Sequence, residues 1–150
     1  MRVDIEKLKS PNIKLAGLQI WIHGRQFSES EDYYDGNWLN VTAHCGEAGA
    51  SVWVSGAIVA VVEIDHWLSS SRELLKGLVA KAELPCIEPH LYVILQAGSL
   101  GHVTMEVSIT PDNMTQEHKF IFEIDQSYLP SLISQCEDVL KEYPVRGANS

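Results

Sequence analysis

Val62-Glu63-Ile64-Asp65-His66-Trp67-Leu68 and Phe122-Glu123-Ile124-Asp125-Gln126-Ser127-Tyr128-Leu129 are nearly one phrase written twice, about sixty residues apart. In each, a strand-like run ends in Glu-Ile, and an Asp follows where its carboxylate can accept from free helix-start amides, the usual work of an N-cap. A hairpin and a strand precede each phrase and a helix follows it, so the order hairpin, strand, helix occurs twice. Internal duplication accounts for this, and so does convergence on a good strand-to-helix junction. We favour convergence at the level of the residues; the repeated order of elements holds under both.

Outward from the first phrase, Leu18, Ile20 and Ile22 alternate with Gln19, Trp21 and His23, and Leu39, Val41, Ala43 and Cys45 alternate with Asn40, Thr42 and His44. Both runs read as half-buried strands. The turn Gly46-Glu47-Ala48-Gly49 leads to Ser51–Ser55, then to Gly56 as a bulge or break, then to Ala57–Ile64, whose nearly continuous apolar character suits a deeply buried strand. Ahead of the second phrase, Leu91–Gln96 and His102–Thr110 form a hairpin around Ala97–Gly101, with Val103, Met105, Val107 and Ile109 on one face. Phe120, Phe122 and Ile124 mark one more strand.

The later helix carries the stripe Leu129, Leu132, Ile133, Cys136, Leu140 and Tyr143 and stops at Pro144. The earlier one carries Trp67, Leu68, Leu74, Leu75, Leu78 and Val79, with Ser70 and Glu73 as a capping box. Short connections favour antiparallel pairing, and strands patterned on one face need one cover. The expected fold is α+β: a single two-layer domain over residues 1–150, about six strands in one mainly antiparallel sheet, and two helices packed on one face. A sheet curled toward a partial barrel is the alternative. Residues 1–14 and 146–150 are expected at the periphery.

A chain of 150 residues with 20 acidic against 11 basic side chains and a net charge of −9 fits one domain. That charge disfavours nucleic acid and anionic membranes, which both call for Lys and Arg, and leaves a basic protein partner open. The start carries no apolar segment of signal-peptide length and no run reaches about 18 apolar residues, so the expectation is a cytoplasmic protein. Cys45, Cys86 and Cys136 read as core thiols. The six His show no HxH or HExxH spacing, so no metal and no cofactor is expected. Glu63 and Glu123 read as solvent-facing or as reaching back to a free amide, in preference to a catalytic pair. Gly98-Ser99-Leu100-Gly101 lacks the Lys and strand-to-helix setting of a phosphate loop, and Ser69-Ser70-Ser71 lacks elbow glycines. No catalytic residue is assigned.

Glu29-Ser30-Glu31-Asp32-Tyr33-Tyr34-Asp35-Gly36-Asn37-Trp38-Leu39 crowds four carboxylates with two Tyr and a Trp in a turn that contains no base. Asp35-Gly36 as a tight turn, with Trp38 packing on the core, explains part of it. It leaves the acid and aromatic side chains together, a combination suited to gripping a basic, partly apolar surface. Glu31, Asp32, Tyr33, Tyr34, Asp35 and Trp38 are therefore the candidate partner-binding residues. The competing reading is a small-molecule-binding module or minor enzyme with a pocket between sheet and helices.

Phe27 followed by Glu31-Asp32-Tyr33-Tyr34-Asp35-Gly36-Asn37-Trp38-Leu39-Asn40-Val41 resembles the WapI-type bacterial immunity proteins. Sequences of that family show an acidic run with Trp or Tyr ahead of Asn-Trp-Leu and a strand. A strand then leads to a Glu-rich helix with Trp-Leu near its start, similar to Glu63–Leu68 here. The last strand, the last helix and Tyr143-Pro144 also look like the family's ending, so the resemblance spans roughly residues 15–145. It implies a cytosolic, non-enzymatic protein that binds and neutralises the toxin domain of a contact-delivered polymorphic toxin. Such toxins are often nucleases and hence basic, which suits an acidic inhibitor.

Overall fold

Alternating burial along the strands builds two sheets where the sequence reading placed one. The computed structural model describes residues 4–147. β1 (Ile13–Leu15), β2 (Leu18–Arg25), β3 (Trp38–Glu47) and β4 (Ala50–Ala60) form an antiparallel meander that runs into α1 (Val61–Leu75). β5 (Lys81–Leu84), β6 (Leu91–Ala97), β7 (His102–Ile109) and β8 (Lys119–Asp125) form a second, followed by α2 (Leu129–Glu142). Four antiparallel strands and a helix thus occur twice, in agreement with the repeated order of elements. The six-stranded single sheet is corrected to two open four-stranded sheets. The missing strands, β1 and β5, span three and four residues, too few to show a period of two.

The helices do not lie on one face of a single sheet either. α1 packs on α2 and beside β5, while α2 reaches β1, and β3 meets β7 and β8. Leu18, Ile20, Leu39 and Val41 from the first sheet, Val93, Leu95, Met105 and Val107 from the second, and Trp67 and Leu132 from the helices all enter one buried cluster. Each meander has a single apolar face, and its own helix leaves part of that face uncovered, so the halves complete one another's core. The β1–β2 turn is wedged between them: a Cβ on Gly17 would sit 2.7 Å from Phe122 Cζ on β8 and would also meet the Gly46 carbonyl on β3.

The two matching phrases fold differently. The buried run expected as strand through Ile64 becomes helix at Val61, because a short, wholly buried apolar segment has the same pattern in either form. Glu63 at the third helical position reaches back to accept from the Ala60 N–H at 2.7 Å, and the Asn37 carbonyl accepts from the Val61 N–H at 2.8 Å. With these amides satisfied, Asp65 falls in the second turn, exposed and not a cap, and Ser70 lies mid-helix, donating to the Trp67 carbonyl. In the second phrase Asp125 is a cap, accepting from the Ser127 N–H at 2.8 Å ahead of a 3₁₀ turn at Gln126–Tyr128. Hydrogen bonds from the Ser127 hydroxyl and amide hold its carboxyl below the ordinary value. Glu123 stays on the exposed face of β8 and accepts from the Thr104 hydroxyl at 3.3 Å.

Gly56 does mark a bulge: Leu39 faces Val59 but Val41 faces Gly56, leaving one extra residue in β4. The β6–β7 hairpin and the buried face Val103, Met105, Val107 and Ile109 match the sequence reading. Within the segment expected at the periphery, Ile13 is fully buried and the Lys14 N–H donates to Gln135 Oε1 at 2.6 Å. Residues 1–3 and 148–150, the extremes of the ends expected at the periphery, lie outside the described residues. No helix among the described residues is long and apolar enough to cross a membrane.

On α2, Leu129, Leu132 and Cys136 are buried as the stripe requires, and Val139 is buried where the stripe had Leu140, which is half-buried. Leu132 is 0 % exposed. Leu132→Ala is expected to lower stability by about 2–5 kcal/mol, and Leu140→Ala by less. Urea unfolding of both variants checks the order, and equal losses would refute it.

Candidate functional site

The acidic turn is a built structure, and Asn37 is its centre. Asn37 is 1 % exposed, and its Nδ2 donates to the carbonyls of Tyr33 at 2.7 Å and Arg146 at 3.0 Å. Its Oδ1 accepts from the Arg146 N–H at 2.9 Å, and its own carbonyl holds the first amide of α1. One buried side chain therefore joins the turn to the C-terminal segment, while its backbone joins both to the helix start.

Two arginines from outside the segment supply the positive charge that it lacks. The Arg25 guanidinium donates to the Gly36 carbonyl at 2.7 Å and to the Pro144 carbonyl, and Arg146 donates to the carbonyls of Ser28 at 2.7 Å and Ser30 at 3.0 Å. Partial burial, then the neighbouring Arg146, lowers the Arg25 pKa from its ordinary value. Gly36 is required by close approach, since a Cβ there would lie 2.5 Å from the Ser30 carbonyl oxygen and 2.6 Å from that of Asp32.

The candidate residues divide by what they do. Asp32 accepts from the amides of Tyr34 and Asp35, both at 3.0 Å, and so shapes the turn. Tyr33 is half-buried and meets Tyr34 edge to face at 5.3 Å. Trp38 opens β3, half-buried, opposite Ala60. Glu31, Tyr34 and Asp35 stand out into solvent, Tyr34 at 69 % exposure. None of the turn's acids enters an ion pair among the described residues; Glu31 acts on Arg25 through space without pairing.

Tyr33, Tyr34, Asp35 and Trp38 form one wall of an open groove of about 400 Å³. The opposite side comes from the start of α1, with Val62, Glu63 and His66, and from Pro85 and Ile87 in the β5–β6 connection. Ile87 is 77 % exposed. Glu63, 6 % exposed, accepts from the Ile87 N–H at 2.9 Å as well as from Ala60, and also from the Cys86 thiol. Burial pushes its carboxyl above the ordinary range and outweighs the opposing pull of these hydrogen bonds. The sequence reading named the groove's aromatic wall but missed its far side, together with Arg25 and Arg146. The Asn in Asn37-Trp38-Leu39, flanked by aromatics and yet polar, was the available signal for a buried hub.

No group of three His, Cys, Asp or Glu is placed to hold a metal among the described residues. His44 and Cys45 point to opposite faces of β3. His44 packs over Trp53 at 4.2 Å and bonds Ser51 at 2.7 Å, whereas Cys45 is wholly buried, with its thiol pushed up to about 12 by burial. Cys136 is likewise pushed up to about 12, as suits core thiols.

The fold and this surface define an α+β chain that displays acidic and aromatic groups from a braced turn. Over residues 9–144 the chain matches the Immunity protein WapI-like family, and it belongs to that family. No curated protein matches it. It is similar to Trypanosoma bruciei MRP1/MRP2, at 13 % identity and TM-score 0.45 over 83 % of this chain and 84 % of that chain. It is also similar to a guide-RNA-binding protein complex bound to a gRNA, at 14 % identity and TM-score 0.43 over 83 % of this chain and 89 % of that chain.

Asn37→Ala orphans one amide and two carbonyls near the protein interior and is expected to destabilise by roughly 1–3 kcal/mol. Hydrogen exchange across residues 29–37 should quicken beyond the global effect, and unchanged exchange there would refute the hub. Burial lowers the His44 pKa below its ordinary value of 6.5. The unfolded chain then takes up this proton first, so the stability His44 contributes is full above 6.5 and is lost as pH falls through the lower folded value. Thermal melts of wild type and His44→Gln between pH 8 and about 5 should diverge on the acid side.

Proposed function

We propose that this protein is a stoichiometric, non-enzymatic inhibitor that acts in the cytoplasm and binds the toxin domain of a polymorphic toxin through the acidic turn and its groove. Membership of the WapI-like immunity family supports an immunity role. The observation that carries the choice of surface is the set of exposed, unpaired carboxylates around Tyr34 on a turn braced from beneath by Asn37, Arg25 and Arg146. Acids that form no ion pair among the described residues offer charge to a basic partner, and a preformed turn loses little entropy on binding. Neither nucleic acid nor a membrane fits a chain of net charge −9.

A groove of about 400 Å³ is also within the range for small ligands, which keeps a small-molecule-binding role as the second reading. Protein binding is favoured because both oxygens of Glu63, the most buried acid in the groove, already accept backbone amides.

Glu31 and Asp35 are the residues to vary, because Asp32 shapes the turn. With a purified cognate toxin domain, Glu31→Lys with Asp35→Lys should slow association by about tenfold at low salt and flatten its salt dependence. Tyr34→Ala should mainly speed dissociation. Kinetics at two salt concentrations, beside thermal melts, test this: unchanged rates would remove the turn from the interface.

A further inference from the structure

We propose that the groove between the turn and the start of α1 receives an arginine side chain of the partner, which anchors the complex. This deepens the reading of the turn as the partner surface and rests on it. The groove's charge points to a cation: Asp35 and Glu63 both line it, and among the described residues no Lys or Arg does. Glu88 lies close enough to act on Glu63 electrostatically, adding a third acid at that end. The two arginines that brace the turn, Arg25 and Arg146, are engaged by backbone carbonyls and do not line the groove.

The shape of the groove points to a guanidinium over an ammonium. Tyr34 and Trp38 place aromatic rings in one wall, and Val62, Pro85 and Ile87 make the rest largely apolar. A planar guanidinium stacks on aromatic faces and is weakly hydrated, whereas an ammonium surrenders more hydration to enter such a place. Glu63, buried and already holding two backbone amides, adds negative charge at the back of the groove and leaves direct contact with the guanidinium to Asp35. Asp35, exposed at the mouth, can meet a guanidinium edge in the bidentate manner that Lys cannot copy. The volume of about 400 Å³ accommodates a long side chain without requiring the groove to open.

The probe is N-acetyl-arginine amide, titrated into isotope-labelled protein and followed by amide and indole NMR signals, with the lysine and citrulline derivatives as comparisons. The arginine derivative should give saturable shifts at the Trp38 indole and at Tyr34, Asp35 and Ile87, with a dissociation constant on the order of millimolar. The lysine derivative should bind at least about threefold more weakly, and the uncharged citrulline derivative should give no saturable shift. Asp35→Asn, which preserves the turn's backbone, should weaken the arginine derivative by about threefold or more. Absence of saturable groove shifts, equal binding of citrulline, or tighter binding of lysine would overturn the proposal. If Glu31→Lys with Asp35→Lys still slows toxin association while the arginine derivative fails, the anchor falls and the partner surface stands; if both fail, so does the surface.

Discussion

Glu63 is the tie on which the arrangement of this molecule depends. Its two oxygens take the Ala60 amide at the end of the first sheet and the Ile87 amide beyond the first strand of the second sheet, so one buried carboxylate spans the junction of the halves. It does so while satisfying a helix start that follows β4 without a loop, leaving no room for a cap supplied by the chain in between. Two meanders with one apolar face each must share a core, and this tie sets where the second begins relative to the first. The groove follows from it: the same helix start that Glu63 completes is held from the other side by the Asn37 carbonyl. The acidic turn is brought to face Pro85 and Ile87 as a result.

Rigidity beneath and charge above are the two properties of this surface. Asn37, Arg25 and Arg146 use hydrogen bonds to backbone groups across more than a hundred residues of sequence, so the turn is pinned to β2 and to the segment that follows α2. The carboxylates are left to solvent. If this surface meets a basic partner as proposed, its field would speed association and a few aromatic contacts would lengthen residence, and neither would require the turn to change shape.

Much of the fold was legible because its pattern is local. The β6–β7 hairpin, the Gly56 bulge and the stripe of α2 each reveal themselves within one short contiguous stretch. β1 and β5 did not, since three or four residues carry no periodicity, and without them two sheets read as one. Val61–Ile64 did not, since a short, nearly continuous apolar run shows no contrast between helix and strand. The phrase shared with Phe122–Leu129 misled for a related reason: Asp65 and Asp125 occupy matching places in sequence, but α1 has already begun at Val61, so Asp65 lies inside the helix and the amides after it bond within the helix. At the site, the acidic and aromatic residues could be read as a group because they are contiguous. Their braces could not, because Arg25, Arg146 and Ile87 come together only through tertiary contacts.

Hydrogen exchange of the complex with the cognate toxin domain tests the central claim most directly, because it maps the covered surface without altering a residue. The account predicts slowed exchange confined to three stretches that meet only in the fold: residues 29–38, the first turns of α1, and the connection around Pro85–Ile87. The outer face of β2–β4, with Trp53 and His44, should remain unchanged. Protection at that outer face, with residues 29–38 exchanging as in the free protein, would contradict it.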